Sequence, residues 1–175
     1  MICVPVPSVA DIQELGAQLA KTALPGDLVL LNGPLGAGKT TMTQGIGRGL
    51  GITEKVSSPT YVIAQIYDAD RLNLVHVDAY RLGSPEELDA LDLDATMDVA
   101  LTVVEWGEGK VEGLSPARLE IQISRPTGAA AELAPDALAA DAPRTVCITG
   151  YGARGIAWEA ELAASEIVMQ LQERA

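Results

Sequence analysis

The sequence predicts an α/β fold in which one sheet contains both parallel and antiparallel strands. Three observations support this. The apolar run 28–31 is followed by a glycine-rich stretch and a helical pattern at 39–50, which gives the order strand, loop, helix. Residues 60–67 and 72–77 resemble two strands with a connection too short for a parallel pair. Residues 119–123 and 145–149 alternate apolar and polar side chains, as half-buried strands do.

The first elements have clear boundary signals. Ser8 precedes apolar residues at helical spacing that continue to Ala23, which predicts a capped helix of about four turns. A Pro-Gly-Asp turn ends it, and the wholly apolar run 28–31 suits a strand buried on both faces. The next helix is expected to begin near Lys39, to be weakened by internal glycines, and to end at Gly51.

The later elements follow from similar patterns. The run SPEE at 84–87 is typical of a helix start, and that helix is expected to reach about Leu91. Residues 100–104 form a further buried strand. Residues 126–143, rich in Ala, Pro and Asp, are interpreted as a flexible insertion within a hairpin. Residues 157–173 are expected to form one final amphipathic helix.

Length and charge limit what the chain can be. Its 175 residues fit a single domain over 1–175, a size that buries roughly 70% of the unfolded surface. No apolar run approaches the ~20 residues of a membrane span, and the first residues lack the features of a secretion signal. The formal charge of −12 repels phosphodiester backbones, so strong direct binding of nucleic acid is not expected. Work on RNA would need a partner that supplies a basic surface.

The two cysteines, Cys3 and Cys147, stand near opposite ends of the chain. A disulfide between them is possible, but two small buried thiols in a reducing compartment are the simpler interpretation. On this interpretation we expect a cytoplasmic protein.

The most informative motif is Gly-x4-Gly-Lys-Thr, present as Gly33, Gly38, Lys39 and Thr40. Glycines let successive backbone N–H groups curl around a phosphate chain, and the following helix directs its positive end at the same oxygens. Lys39 adds charge at the β- and γ-phosphates, and the Thr40 hydroxyl can ligate Mg²⁺. The pattern predicts a P-loop NTPase-like three-layer domain that binds ATP and Mg²⁺. The alternative is a glycine-rich turn that binds nothing.

Candidate partners of this motif lie at the ends of two other strands. Glu105 follows a buried strand and is a second candidate Mg²⁺ anchor, although a solvent-facing strand-end Glu is the alternative. Trp106 beside it is either a packing aromatic or has a role near the nucleotide or a partner. Asp78 is the best candidate to orient or deprotonate water, and period-two alternation is expected to place His76, Asp78 and Tyr80 on one face. His76, the one histidine, is interpreted as a satisfied structural residue.

Two further residues carry weaker signals. Thr60 lies between the P-loop helix and the next strand, where P-loop switches place a threonine that senses the γ-phosphate. Pro59 restricts Ser58 to extended conformations and so presents Thr60 in a defined direction. Arg81 could bind phosphate or an acidic residue of a partner. The alternative is an ordinary surface arginine.

Taken together, the segments GPLGAGKTT, SSPTY, HVDAYRL-GSPEEL and VVEWGE resemble the bacterial TsaE (YjeE) family over residues 8–110. That family supplies the ATPase of the threonylcarbamoyladenosine tRNA-modification system. The resemblance implies weak ATP hydrolysis by the isolated protein and docking onto the TsaB–TsaD pair, which transfers the threonylcarbamoyl group to an adenosine beside the anticodon. It implies contact with tRNA only through that complex.

The resemblance also implies roles for individual residues. Asp78, Lys39 and Thr60 would serve hydrolysis, with Thr60 as the switch threonine. Thr40 and Glu105 would hold the metal. The nucleotide would be bound by the P-loop and its neighbours: Gly33, Leu35, Gly36, Ala37, Gly38, Lys39, Thr40, Thr41 and Trp106.

The sequence departs from the family pattern at Pro34, Ala79 and Gly107, and none of these removes a proposed ligand. Two rival functions remain open. A small-molecule kinase would need an acceptor site and clustered arginines, which the sequence does not display. A nucleotide-gated binding module without significant turnover would need only the phosphate site.

Overall fold

A computed structural model of the chain describes residues 1–84, 86–87, 94–125 and 143–174. Within these ranges the chain forms seven strands and five α-helices, and a 3₁₀ helix lies at Ala79–Arg81. The elements in chain order are β1 Ile2–Val6, α1 Val9–Thr22, β2 Leu28–Asn32, α2 Lys39–Leu50, β3 Ala64–Tyr67, β4 Asn73–Asp78, α3 Asp94–Met97, β5 Ala100–Glu105, β6 Arg118–Ser124, β7 Arg144–Tyr151, α4 Gly152–Ala163 and α5 Glu166–Glu173.

The strands form one mixed sheet in the order β1-β7-β6-β2-β5-β4-β3. At its centre β2 is parallel to both β6 and β5, and β5 is parallel to β4. The outer strands are antiparallel, because β3 and β4 form a hairpin and β7 pairs with both β6 and β1. The predicted α/β fold with a mixed sheet is confirmed. The parallel strands β2, β4 and β5 end at the same edge of the sheet. The glycine-rich loop, Asp78 and Glu105 lie at these strand ends.

The central strands are buried on both faces. Alternate residues of β2 enter two different cores: Val29 and Leu31 face one, Leu28 and Leu30 the other. The larger core lies under α1, α2, α4 and α5. The smaller is closed by α3, the 3₁₀ helix and the chain that follows β5, where Val111 is fully buried. Among the described residues, these short elements cover this face of the sheet.

The first helices form as their sequence signals predicted. Ser8 caps α1, and its side chain accepts a hydrogen bond from the backbone N–H of Asp11. Helix α2 ends at Gly51, which adopts a left-handed conformation. The glycine at position 45 inside α2 has a packing reason: a Cβ there would collide with the backbone of Gln13 in α1. The glycine at position 45 thus lets α2 approach α1 closely.

The expectation of two separate buried thiols is wrong. Cys3 and Cys147 form a disulfide with a Cα–Cα distance of 4.1 Å, and Cys3 is exposed. The cause is strand β1, which the sequence patterns did not predict: its antiparallel register with β7 places the two cysteines directly opposite each other. Pro5 is tolerated in β1 because this strand lies at the edge of the sheet. The cytoplasmic location, argued from reduced thiols, stays a prediction.

The expected single final helix is also wrong. Two helices, α4 and α5, take its place, and α4 begins five residues earlier, at Gly152 instead of residue 157. The break occurs at Ser165, whose Oγ donates to the carbonyl oxygen of Leu162 at 2.6 Å and whose backbone is extended. In this way both helices lie on the larger core, to which Trp158 and Leu171 contribute.

An ion pair between the partly exposed Arg154 and the buried Asp27 ties α4 to the start of β2. Arg154 donates from Nη2 to Asp27 Oδ2 at 2.7 Å, and Nη2 also reaches the carbonyl oxygen of Thr22 at 2.8 Å. The hydrogen bond with Asp27 raises the pKa of Arg154 above its ordinary value. Arg154 thus has a structural role in this part of the molecule.

Two predicted segments lie largely outside the described residues: the helix from 84 to about 91 and the insertion at 126–143. Strand β3 begins later than predicted because residues 59–63 form a turn, in which the N–H groups of Val62 and Ile63 both donate to the carbonyl oxygen of Pro59. Among the described residues, no helix combines the length and apolarity needed to cross a lipid bilayer.

A candidate phosphate and magnesium site

A cavity of about 450 Å³ opens at the sheet edge where β2, β4 and β5 end. Its walls come from the P-loop and α2, from the chain before β3, and from the ends of β4 and β5. The residues that line it are Val9, Leu35, Gly36, Gly38, Lys39, Thr40, Thr41, Ser58, Thr60, Asp78, Glu105, Trp106 and Arg144.

The loop between β2 and α2 has the backbone shape that a phosphate cradle needs. Gly38 caps α2 with φ 115°, a conformation that side chains other than glycine rarely adopt. At Gly33 a Cβ would collide with the carbonyl oxygen of Ile123 on β6. Because the first N–H groups of a helix have no partner within it, α2 directs free donors and a partial positive charge at the cavity.

Lys39 lies under this loop and is almost fully buried. Its ammonium group donates to the carbonyl oxygens of Gly33 at 2.7 Å and Pro34 at 3.1 Å. It also stands 3.6 Å from the ring centroid of Trp106. Burial lowers the pKa of Lys39 from its ordinary value, an effect that the charges of Glu105 and Asp78 oppose.

Thr40 and Glu105 form the second part of the site. The Thr40 hydroxyl donates to Glu105 Oε1 at 2.9 Å, and Oε2 lies at 3.3 Å. Residue Glu105 is itself buried and also contacts Nε2 of His76, which lies 2.8 Å from Oε1. One hydroxyl and one carboxylate thus meet at the start of α2. This oxygen donor set suits Mg²⁺, which proteins usually hold through one or two carboxylates together with substrate phosphates.

Asp78 is held by three donors. Its Oδ2 accepts hydrogen bonds from Thr60 Oγ1 at 2.6 Å and Ser58 Oγ at 3.1 Å, and its Oδ1 accepts from the backbone N–H of Tyr80 at 3.0 Å. The parallel register of β4 and β5 places Asp78 next to Glu105. The hydroxyls of Ser58 and Thr60 therefore meet Asp78 at the strand end that lies beside Glu105.

Not every predicted residue takes the position that was expected. Tyr80 leaves the face shared by His76 and Asp78, because the Asp78 side chain caps the 3₁₀ helix and so ends the strand. Tyr80 is 65% exposed and contacts Trp106 edge to face, with the ring centroids 5.3 Å apart. Arg81 is exposed and does not line the cavity; its guanidinium stands 5.8 Å from the ring of Tyr61.

The remaining predicted residues divide between the cavity wall and its support. Leu35, Gly36 and Thr41 line the cavity. Gly33 and Ala37 do not: Ala37 is fully buried behind the loop, where its N–H donates to the carbonyl oxygen of Pro34 at 3.1 Å. Gly33 contributes the carbonyl oxygen that Lys39 contacts.

Sequence reasoning missed two cavity residues, Val9 and Arg144. Val9 begins α1 shortly after β1 ends at Val6, and Arg144 begins β7, where it pairs with Val6, so the pairing of β1 with β7 brings both residues to the cavity wall. No local motif marks either residue, since their proximity depends on that strand pairing. Ser58 was considered only for its backbone, and its hydroxyl proves to be a donor to Asp78.

Comparisons with known proteins agree with this architecture. Residues 6–132 match the model of the family described as "Threonylcarbamoyl adenosine biosynthesis protein TsaE". A Streptomyces coelicolor protein named tRNA threonylcarbamoyladenosine biosynthesis protein TsaE is 49% identical over 82% of this chain and 93% of its own length. A Mycobacterium bovis protein of the same name is 42% identical over 69% of this chain and 77% of its own.

A solved structure shows the same fold. The crystal structure of Bacillus subtilis YdiB superposes with a TM-score of 0.72 at 31% sequence identity, covering 93% of each chain. Together with the family model, which spans more than half of the sequence, these relatives establish that the chain belongs to the TsaE family.

Proposed function

We propose that this chain is an ATP-binding protein with weak Mg²⁺-dependent ATPase activity that acts in the threonylcarbamoyladenosine modification of tRNA. Membership of the TsaE family and the names of the relatives in Streptomyces and Mycobacterium support the pathway. The geometry of the cavity supports the chemistry.

One observation carries the nucleotide proposal: the Thr40 hydroxyl bonds to the buried Glu105 carboxylate 2.9 Å away, at the head of the helix that follows the glycine loop. Thr40 and Glu105 would hold Mg²⁺, which when bound neutralises phosphate charge. Lys39 would turn from the carbonyl oxygens of Gly33 and Pro34 to the β- and γ-phosphates. The backbone N–H groups of the loop would bind the phosphate chain, with Trp106 beside it.

Asp78 is the residue that we assign to orient the attacking water. For that role its Oδ2 must exchange the hydroxyls of Ser58 and Thr60 for water, so the loop that precedes β3 has to move. A loop threonine that releases a carboxylate when the γ-phosphate binds would act as a nucleotide-dependent switch. Thr60 would thereby couple the nucleotide state to the exposed neighbouring residues Tyr61 and Val62.

The partners of this ATPase are proposed to be TsaB and TsaD, with hydrolysis resetting the pair after transfer of the threonylcarbamoyl group. The chain's charge of −12 supports contact with tRNA only through the complex, because an acidic surface repels RNA. A cytoplasmic location would follow from this pathway.

The test is phosphate release from Mg·ATP by the chain alone and with the TsaB–TsaD pair, with Lys39→Ala as the blank. We expect slow release by the chain, stimulation by the pair, and none above background for the variant. Equal turnover with and without the pair would contradict the reset role. Phosphorylation of a small metabolite at a comparable rate would instead favour a kinase.

A second function is favoured by the contact between Thr60 and Asp78. If the nucleotide serves only to move this loop, the chain would be a nucleotide-gated binding module without significant turnover. The module would bind the pair in an ATP-dependent manner while releasing no phosphate, and Asp78→Asn would leave its activity in tRNA modification unchanged.

A further inference from the structure

Residue His76 lies at the base of the site without touching the cavity. It is on β4, between Gln65 of β3 and Val103 of β5, and its side chain is fully buried. It does not line the cavity in which the nucleotide is proposed to bind. Its one side-chain hydrogen bond among the described residues joins Nε2 to Glu105 Oε1 at 2.8 Å.

The geometry decides which ring nitrogen carries the proton. Oε1 of Glu105 also accepts the Thr40 hydroxyl, so as a carboxylate it needs Nε2 of His76 as a donor. The other nitrogen, Nδ1, is buried and has no hydrogen-bond partner among the described residues. A proton there would bury an unpaired N–H group, so the tautomer protonated at Nε2 alone fits the site.

This arrangement differs from that of a satisfied structural histidine. An apolar side chain would fill the same place between β3 and β5 without burying an unpaired nitrogen, and it would be favoured for stability alone. What the histidine adds is a fixed N–H donor aimed at one oxygen of Glu105. Groups behind a metal ligand commonly orient it in this way.

We propose that His76 is a positioning residue for magnesium: by donating from Nε2 to Glu105 Oε1 it holds the carboxylate against Thr40 in the orientation that the metal requires. The inference rests on the proposed Mg·ATP site. Because His76 does not itself line the nucleotide cavity, its loss should weaken metal binding while the affinity for metal-free nucleotide is preserved.

The experiment compares three substitutions of His76 in the full chain. In His76→Gln an N–H donor remains near the place of Nε2, in His76→Asn the shorter amide does not reach Glu105, and in His76→Leu the donor is removed. Thr102→Val is the matched control, because Thr102 is fully buried on β5 and its hydroxyl has no hydrogen-bond partner among the described residues.

The first readout is the affinity for Mn²⁺ in the presence of a non-hydrolysable ATP analogue, measured by electron paramagnetic resonance. The second is binding of the analogue in the presence of a chelator. We expect the Leu and Asn variants to bind Mn²⁺ about 10- to 100-fold more weakly, with metal-free binding unchanged within about threefold. His76→Gln and Thr102→Val should resemble the parent in both readouts.

Several results would overturn the proposal. Parent-like Mn²⁺ binding by the Leu and Asn variants would do so, as would a parallel loss of metal-free binding, which indicates structural damage. Failure of His76→Gln to restore binding would exclude the N–H donor as the cause. If His76→Leu does not fold, the contrast between Gln and Asn decides the question. A parent chain that binds no analogue would refute the proposed function itself, before any variant is compared.

Discussion

Asp78 is the residue whose substitution should best separate ATP hydrolysis from nucleotide binding. The substitution Asp78→Asn keeps the size of the side chain, and its amide oxygen can still accept from the N–H of Tyr80 at the position of Oδ1. The amide nitrogen then replaces Oδ2, where Thr60 and Ser58 now donate. These hydroxyls can rotate to accept instead, so the fold is retained while the negative charge is lost.

The expected magnitude follows from those two contacts. Each charge-assisted hydrogen bond contributes about 1.5–3 kcal/mol, and a neutral one about 0.5–1.5 kcal/mol. The exchange at Oδ2 therefore costs about 2 kcal/mol, which in a domain of this size lowers Tm by about 4–8 °C. Loss of an oriented proton acceptor costs about 10²–10⁴ in turnover. Binding of Mg·ATP should not weaken by more than about threefold, because Lys39, Thr40 and Glu105 are untouched.

The assay measures phosphate release with the TsaB–TsaD pair, titration of Mg·ATP by calorimetry, and thermal unfolding. Asp70→Asn is the matched control, since Asp70 is an exposed carboxylate on the turn between β3 and β4 and does not line the cavity. Partner-stimulated turnover that stays within about threefold of the parent would refute the role assigned to Asp78. Loss of nucleotide binding along with turnover would show that the residue supports the cavity as a whole.

Two further predictions concern charge and covalent structure. The pKa of Lys39 is lowered by burial and would be raised again by bound phosphates, so at alkaline pH nucleotide binding should take up a proton. Affinity should then fall as the pH rises through the lowered pKa of the free protein, below the 10.5 of an ordinary lysine. Calorimetry in buffers of different ionisation enthalpy measures this proton uptake. If the Lys39→Arg variant binds the nucleotide, its binding should take up no proton. Equal proton uptake by parent and variant would contradict the assignment of the uptake to Lys39. Reduction of the disulfide, which joins residues 144 apart, should lower the free energy of unfolding by about 2–5 kcal/mol. Urea denaturation with and without reductant measures this loss. The stability of the double variant Cys3→Ser, Cys147→Ser should not respond to reductant. Coincident denaturation curves for the parent would argue against a role of the disulfide in stability.

The elements predicted well from sequence are those with local causes. The strand 28–31, the loop of Gly33 to Thr40 and the helix that ends at Gly51 each have their determinants within a few residues. The position of Glu105 beside Thr40 was also predictable, because parallel strands on either side of a P-loop strand end at the same edge of the sheet.

What the sequence did not predict depends on distant partners or on side chains that compete with the backbone. Strand β1 contains Pro5 and is recognisable only through its pairing with β7, so the disulfide was considered but not favoured, and the cavity residue Arg144 was missed. Tyr80 was misplaced because the Asp78 side chain accepts the backbone N–H of Tyr80 and ends the strand earlier than alternation implies. A carboxylate that bonds its own backbone two residues ahead is a common local turn, and this signal was available in the sequence.

The central claim is that the loop before α2, with Lys39 and Thr40, binds the phosphates of Mg·ATP. Isothermal titration of the chain with Mg·ATP tests it most directly, beside a Lys39→Ala variant whose unfolding is cooperative. We expect saturable binding at one site in the parent and an affinity at least about tenfold weaker in the variant. Absence of binding heat in a folded parent at several temperatures, or equal affinity in parent and variant, would contradict it.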